Sequence, residues 1–251
     1  MQRSNTYIFT FIVALTMICA VLLSLTNESL KDKQAANVAF EKRKFILTTF
    51  MGADAVGGMS PAKVNEVYDA KVKSSVVDYQ GKTLDVPVDD IEIEKEYKKP
   101  LEERRLPVYS IIGSEGLEYL VLPVYGFGLW DNIWGYVALE NDANTIKGVV
   151  FDHKGETPGL GARITTQEIQ SRFVGKTIHD KEGDVVSVTV MKGENGGGEK
   201  SIEAYKDQPH EVDGMSGATL TGKGVNKMLS DYFTAYNNYF KQLSVEKTAL
   251  N

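Results

Sequence analysis

Cysteine is almost absent: the 251 residues contain one, Cys19. That excludes an intrachain disulfide and a metal site built from thiolates. Histidine is nearly as scarce. His153, His179 and His210 lie far apart, and none has the i, i+3 or i, i+4 partner that a helical metal site needs, so no metal site is expected. An excess of basic charge is missing too. Lys and Arg number 28 against 34 Asp and Glu, a formal net charge of −6. With no basic stripe carrying interleaved aromatics, nucleic acid is not an expected partner. The charged stretch 85–105 lacks the D-x-[DN]-x-[DN]-G order of a calcium loop, and no internal repeat is visible. What remains is ordinary globular composition, 42% hydrophobic and 25% charged, with room for one good-sized domain plus an accessory segment.

The first positive feature is an uncharged run from Tyr7 to Leu25, YIFTFIVALTMICAVLLSL. At 1.5 Å of rise each, its roughly 19 residues nearly span a hydrocarbon core of about 30 Å. The run exceeds a secretory h-region of about 7–15 residues, and Ser24-Leu25-Thr26 is a poor cleavage site. A retained transmembrane helix is expected, with membrane lipid as its surroundings. Lys31, Lys33, Lys42, Arg43 and Lys44 follow the run and Arg3 alone precedes it, a count that by itself keeps the C-terminal part cytoplasmic. Only Lys31 and Lys33 are close to the run, however, and long domains cross membranes largely regardless of charge.

Residues 28–50 read as a continuing helix that Gly52 ends, on the partial 3.6-residue pattern of Leu30, Ala35, Val38, Phe45 and Ile46. Ser60-Pro61 then opens a second helix, a cap followed by a first-turn proline, with Val64, Val67, Tyr68 and Val72 on one face. Residues 85–105 read as a solvated connection with a short strand around Val86–Ile93. Val108–Ile112, Glu118–Val124, Trp134–Leu139 and Thr145–Phe151 read as strands of an antiparallel meander. A helix is expected at about 166–174, with Thr165 as cap and Glu168 completing a capping box. Val185–Met191 alternates as a strand, and a glycine-rich turn at 193–198 leads to a segment around Ser201–Tyr205. The chain closes with an amphipathic helix, beginning just after Thr219 and carrying Val225, Met228, Leu229, Tyr232, Phe233, Tyr236, Phe240 and Leu243 on its apolar face. The expected class is α+β. A transmembrane helix (1–27) precedes a helical stalk or docking region (28–82) and a domain (83–251) with a mainly antiparallel sheet flanked by helices.

Three segments carry chemistry. Asp213–Thr221 reads DGMSGATLT, two glycines and several hydroxyls immediately before a helix. Unsatisfied amides and partial positive charge at a helix N-terminus favour phosphate there, although by itself a Ser or Thr before a helix serves equally as a plain cap. Tyr125–Trp130, YGFGLW, lacks the third glycine and the helix of a dinucleotide fingerprint, which excludes a Rossmann site. His153–Gly161, HKGETPGLG, is an irregular loop after a strand, where backbone amides can approach a ligand closely or simply form a rigid turn.

Taken together and in this order, YGFGLW, HKGETPGLG and SGATLT resemble the covalent-FMN domain family, and within it the C-type subunits of the sodium-translocating NADH:quinone oxidoreductase. The resemblance covers the N-terminal anchor and roughly residues 105–240. It implies one FMN per chain, esterified through its phosphate to the last residue of S-G-A-T, here Thr219. Ser216, Gly217 and Ala218 then lie near the phosphate, Glu156, Thr157 and Leu160 on the isoalloxazine and ribityl side, and Trp130 serves as an apolar wall. No catalytic residue and no complete active site are implied for this chain alone. No adjacent histidine activates Thr219, so a separate magnesium-dependent flavin transferase is implied as the source of FMN from FAD. The other subunits of the complex are implied partners, in an electron relay from NADH toward quinone that drives sodium export. The resemblance also implies a single-pass anchor in the cytoplasmic (inner) membrane with an extracytoplasmic FMN domain. The G-type subunit of the ion-pumping ferredoxin:NAD oxidoreductase shares ETPGLG and SGAT, but YGFGLW and Leu220 fit the C type better. Asp131-Asn132-Ile133 departs from the glycine-containing turn expected at that point. An alternative of another class is a membrane-tethered module that holds a phosphate ligand without covalent attachment. Asp213 would repel a phosphate if it pointed inward, so it is expected to cap backbone amides or to serve recognition by the transferase.

Overall fold

The uncharged run and the amphipathic stretch after it form one unbroken helix, α1 (Asn5–Met51), because neither glycine nor proline interrupts them. The computed structural model describes residues 4–113 and 117–249, and the chain separates into two compact units, residues 1–42 and 43–251. In the first unit, α1 is long and apolar enough to cross a membrane, and none of its apolar window is buried against protein. Thr16 in the run and Thr26 just after it donate to the carbonyls of Val13 and Leu22, at 3.0 and 2.8 Å, so their hydroxyls are satisfied without water.

In the second unit, the last turns of α1 bury Ile46, Leu47 and Thr49 before Gly52 takes φ +88° and ends the helix. A short α2 (Ala53–Gly57) follows, then α3 (Pro61–Lys71). The start of α3 is as expected, with Ser60 Oγ accepting from the Lys63 amide at 3.3 Å and Pro61 in the first turn. Its end is earlier. Val72–Val77, within the stretch expected to be helical, is β-branched at 72, 76 and 77 and forms strand β1, with β2 (Thr83–Leu84) at its edge. The strand expected around Val86–Ile93 does not form. Pro87, with φ −59°, leads instead into a 3-10 turn at Val88–Asp90, and α4 spans Ile93–Tyr97. Nor is the 85–105 stretch solvated throughout: Glu96 is buried and accepts from Lys99 Nζ at 2.8 Å and from the Arg105 amide and Nη2 at 2.9 and 2.6 Å.

The four expected strands are present as β3 (Leu106–Ile112), β4 (Glu118–Phe127), β5 (Asn132–Leu139) and β6 (Ile146–His153). They pair antiparallel in sequence order within a sheet arranged β2-β1-β3-β4-β5-β6. Pairing of Phe127 with Asn132 leaves Gly128–Asp131 as the β4–β5 turn, closed by the Gly128 amide on the Asp131 carbonyl at 2.9 Å.

Beyond the sheet the expectations fare less well. The helix placed at 166–174 is a single turn, α5 (Gln167–Gln170), followed by a 3-10 turn at Ser171–Phe173. Thr166 rather than Thr165 occupies its cap position, and no capping box forms because the Glu168 carboxylate accepts from the distant Gly198 amide and from Arg172. Of Val185–Met191 only Thr189–Val190 is strand, β7, because Ser187 at φ +64° breaks the extended run. The segment near Ser201 is a helix, α6 (Gly198–Ala204), and Glu211–Val212 (β8) pairs parallel with β7.

The C-terminal helix, α7 (Thr219–Ala249), lays Val225, Met228, Leu229, Tyr232, Phe233 and Tyr236 on one face of the sheet, against Leu120, Leu122 and Val124. Val121, pointing the other way by strand alternation, packs with Ile46 and Tyr109, and with Phe50 and Tyr68 at the margin. The long helix is thus fixed by its apolar stripe, and its first turn is delivered to the end of the sheet where β4 turns into β5.

Candidate functional site

Three loops meet at one carboxylate. Glu156 follows β6 in the ETPGLG loop, where its amide donates to His153 Nδ1 at 3.2 Å. Its side chain is buried. Oε1 accepts from the amides of Leu129 and Trp130 at 2.8 and 2.9 Å, and Oε2 accepts from Thr221 Oγ1 at 2.5 Å. One residue therefore ties the β4–β5 turn to the first turn of α7. Close approach demands glycine around it. A Cβ on Gly128 would overlap Glu156 Oε1, and one on Gly161 would overlap both Glu156 Oε2 and Thr221 Oγ1. Burial pushes the Glu156 carboxyl up, but hydrogen bonds from Thr221 and from the amides of Trp130, Leu129 and Asp131 outweigh burial and hold it below its ordinary range. Asp131, in the turn itself, is lowered chiefly by the Asn132 amide, with Lys154 3.4 Å away.

The DGMSGATLT segment forms a tight turn into α7. The Met215 carbonyl accepts from the Ala218 amide at 3.1 Å, and the Ala218 carbonyl accepts from the Gly222 amide at 2.9 Å, the first bond of the helix. Ala218 is thus the cap position and Thr219, half-buried, is itself the first helical residue. Gly217 turns the chain at φ +73°, and the space a Cβ would need there is taken by Leu160 Cδ2 at 2.7 Å. Ser216 and Gly217 are exposed and Ala218 is buried. Asp213 points away from this surface. Its buried carboxylate accepts from the Asn195 amide at 2.7 Å, from Asn195 Nδ2 at 2.9 Å and from Ser201 Oγ, so it caps a backbone amide of its own scaffold.

The residues singled out in the sequence come together. The Trp130 indole N–H donates to Thr157 Oγ1 at 3.1 Å, Leu160 lies on Gly217, and Glu156 links the Trp130 amide to Thr221 beside Thr219. Their arrangement divides them into two kinds. Both oxygens of Glu156 face inward onto the scaffold, whereas Trp130, Thr157 and Leu160 are exposed, along with Phe127, Leu129 and Leu220. The result is an open apolar surface around a hydroxyl at a helix N-terminus. Sequence reasoning did not find Thr221, although it lies inside the motif, two residues beyond Thr219. It also missed Arg163, Arg172 and Glu194, whose pairing across 22 and 31 residues leaves no local signal.

Residues 128–234 match the FMN-binding domain family, a stretch that begins in the Gly128 turn and includes Glu156 and all of SGATLT. The C-type subunit of the Na(+)-translocating NADH-quinone reductase of Pseudomonas aeruginosa is 32% identical over 247 residues, covering 91% of each chain. The chain belongs to this NqrC family. The corresponding protein of Vibrio vulnificus is 31% identical and covers 85% of each chain. Among solved structures, the corresponding protein of Parabacteroides distasonis superposes with a TM-score of 0.70 at 29% identity, covering 84% of this chain and 96% of that one. NqrC of Shewanella oneidensis gives 0.65 at 30% identity, covering 82% and 97%. The likeness reaches well beyond the three loops, over 91% and 85% of this chain in the two relatives.

Proposed function

We propose that the chain is the FMN-carrying electron-transfer subunit of a Na(+)-translocating NADH-quinone reductase, with FMN held as a phosphoester of Thr219. The observation that carries this reading is the half-buried Thr219 opening α7 within SGATLT, while Glu156 ties the other two FMN-family loops to the same helical turn. The residues fit the group. A phosphodiester at Thr219 meets the unpaired amides and partial positive charge of a long helix N-terminus, with Ser216, Gly217 and Ala218 forming the turn beside it. Trp130, Thr157 and Leu160 offer an exposed apolar face with one hydroxyl, suited to the ring and ribityl chain. When bound, FMN supplies electron transfer in one- and two-electron steps, and the protein's part is to orient it and tune it by charge and burial.

The hydroxyl of a threonine is a weak nucleophile at neutral pH, so its esterification needs a separate magnesium-dependent flavin transferase. Thr219 Oγ forms a bond to the FMN phosphorus of FAD, the pyrophosphate bond breaks, AMP leaves and the hydroxyl proton is released. In this reading α1 anchors the chain once in the cytoplasmic membrane, amid lipid, with the domain on the extracytoplasmic side. Electrons arrive from and leave to neighbouring subunits of the complex on the route from NADH to quinone. Family resemblance supports that side of the membrane, against the count of basic residues after the run.

Peptide mass spectrometry of the chain isolated from cells that contain the transferase tests the reading. A peptide containing Thr219 should be heavier by FMN less one water, and Thr219→Ala should abolish flavin fluorescence on a denaturing gel. Flavin lost on denaturation of the unsubstituted chain would leave the non-covalent phosphate module as the better description.

A further inference from the structure

A second cluster lies behind the flavinylation turn. Glu194, in the glycine-rich turn between β7 and α6, reaches across to the motif, where its Oε2 accepts from the Ser216 amide at 3.0 Å. The same carboxylate is gripped from the other side. Arg163 donates to it through Nη1 at 2.8 Å and Nη2 at 2.6 Å, and Arg172 through Nη2 at 2.8 Å. Arg172 is buried, and its other nitrogen donates to the Gly214 carbonyl at 2.5 Å and the Asp213 carbonyl at 3.3 Å. Asn195, next to Glu194, is bonded through its amide and side chain to Asp213. The 193–198 turn is therefore fastened along the motif at residues 213, 214 and 216, three residues short of Thr219.

That placement has a mechanical consequence. The Ser216 amide is committed to Glu194, so the peptide before Ser216 is fixed in orientation, and Gly217, left-handed at φ +73°, then sets the direction in which the chain enters α7. Charge-assisted hydrogen bonds with bidentate geometry are short and directional, and they hold a loop where a single neutral bond would leave it loose. Glu194 makes no contact with Thr219 itself. It acts through Ser216.

Resting on the reading of Thr219 as the flavin attachment point, we propose that Glu194 is a positioning residue for flavin attachment: its carboxylate, held by Arg163 and Arg172, fixes Ser216 so that Thr219 Oγ is presented in one orientation. In the group transfer itself Glu194 takes no proton and forms no bond. Its effect is on the geometry of attack, where misplacement of a reacting atom by about 1 Å costs on the order of a hundredfold in rate.

The test uses the full-length chain in detergent with a magnesium-dependent flavin transferase and FAD, reading the rate at which the Thr219 peptide gains mass, per folded chain. Glu194→Asp keeps the charge beside the arginines but draws the oxygens back from the Ser216 amide. It is expected to lower kcat for labelling at least tenfold, about 1.4 kcal/mol, with KM for the chain unchanged within about twofold. Glu168→Ala is the control for loosening the arginines and the 193–198 turn alone, because Glu168 pairs with Arg172 at 3.0 Å and with Arg163 at 3.5 Å and accepts from the Gly198 amide at 3.0 Å without touching the motif. It should label at the unsubstituted rate. Glu194→Asp labelling as fast as the unsubstituted chain, or Glu168→Ala slowing as much as Glu194→Asp, would overturn the positioning role and leave Thr219 as the acceptor. An unsubstituted chain that gains no mass at Thr219 would overturn both. Counting label per folded chain keeps a partly unfolded variant decisive.

Discussion

Removing the Glu156 carboxylate should loosen the whole end of the domain that carries the motif. In Glu156→Ala the amides of Leu129 and Trp130 and the hydroxyl of Thr221 lose their shared acceptor. Hydrogen bonds to a charged acceptor contribute roughly 1.5–3 kcal/mol each, but the three losses are unequal. Leu129 and Trp130 sit in an exposed turn where water can replace the carboxylate, whereas Thr221 is only 1% exposed, so its hydroxyl would stay buried without a partner. Relief of the burial of a charge offsets part of the cost. A net destabilisation of about 2–4 kcal/mol is expected, seen as a lower urea midpoint at unchanged m-value for the chain in detergent. Thr221→Val should cost less, and the double variant should fall short of the sum by about 1–2 kcal/mol, since the two singles remove the same bond. The sign with pH follows from the lowered carboxyl. Its stabilisation is complete above the ordinary value of about 4.5 and is lost as pH falls through the lower folded value. A midpoint for Glu156→Ala within about 0.5 kcal/mol of the unsubstituted chain, or strict additivity in the double variant, would refute the bracing role.

Gly161→Ala tests the same junction by crowding. Its Cβ would meet Glu156 Oε2 and Thr221 Oγ1, so a cost of about 1–3 kcal/mol and weaker flavin fluorescence on denaturing gels are expected, and an unchanged urea midpoint would refute the packing. Acid should act on two carboxylates in sequence. Arg163 hydrogen bonds lower Glu194 to about 2, so its contribution, complete above about 4.5, should decline as pH falls toward about 2. Urea midpoints measured from about pH 5 to pH 2 should fall throughout, and a flat profile across that range would refute it.

What could be read from the sequence was what local chemistry decides. Ser60-Pro61 starts a helix because a hydroxyl cap and a preset φ act within one turn, and Gly52 stops one for an equally local reason. The meander was legible because each strand is a β-branched or aromatic run bounded by turn residues. The failures come where distant partners decide. Val185–Met191 alternates like a strand, yet Ser187 adopts φ +64° and leaves only an isolated bridge at Val185 and the two-residue strand Thr189–Val190. Glu96 sits among charges that read as solvated, and burial under Arg105 changes its role without changing the pattern. The site divides in the same way. SGATLT and ETPGLG announce themselves by composition, while the bond that unites them joins Glu156 to Thr221 across 65 residues.

The same division bears on why the proposed bond to Thr219 would suit this surface. Phe127, Leu129, Trp130, Leu160 and Leu220 are all exposed around the turn into α7, on loops pinned from beneath by Glu156 and Glu194. Ligands retained without a covalent bond generally bury about 70–90% of their surface in a concave pocket. Clefts of 430 Å³ beside Phe45 and Gln170 and of 520 Å³ beside His179 and Phe240 lie elsewhere on the domain. An open, rigid, apolar platform can orient a flat ring but encloses little of it, so retention has to come from somewhere other than burial. The phosphoester proposed at Thr219, the first residue of α7, would provide it and would leave one edge of the ring uncovered. For an electron carrier that serves neighbouring subunits, an uncovered edge shortens the distance each electron must cross.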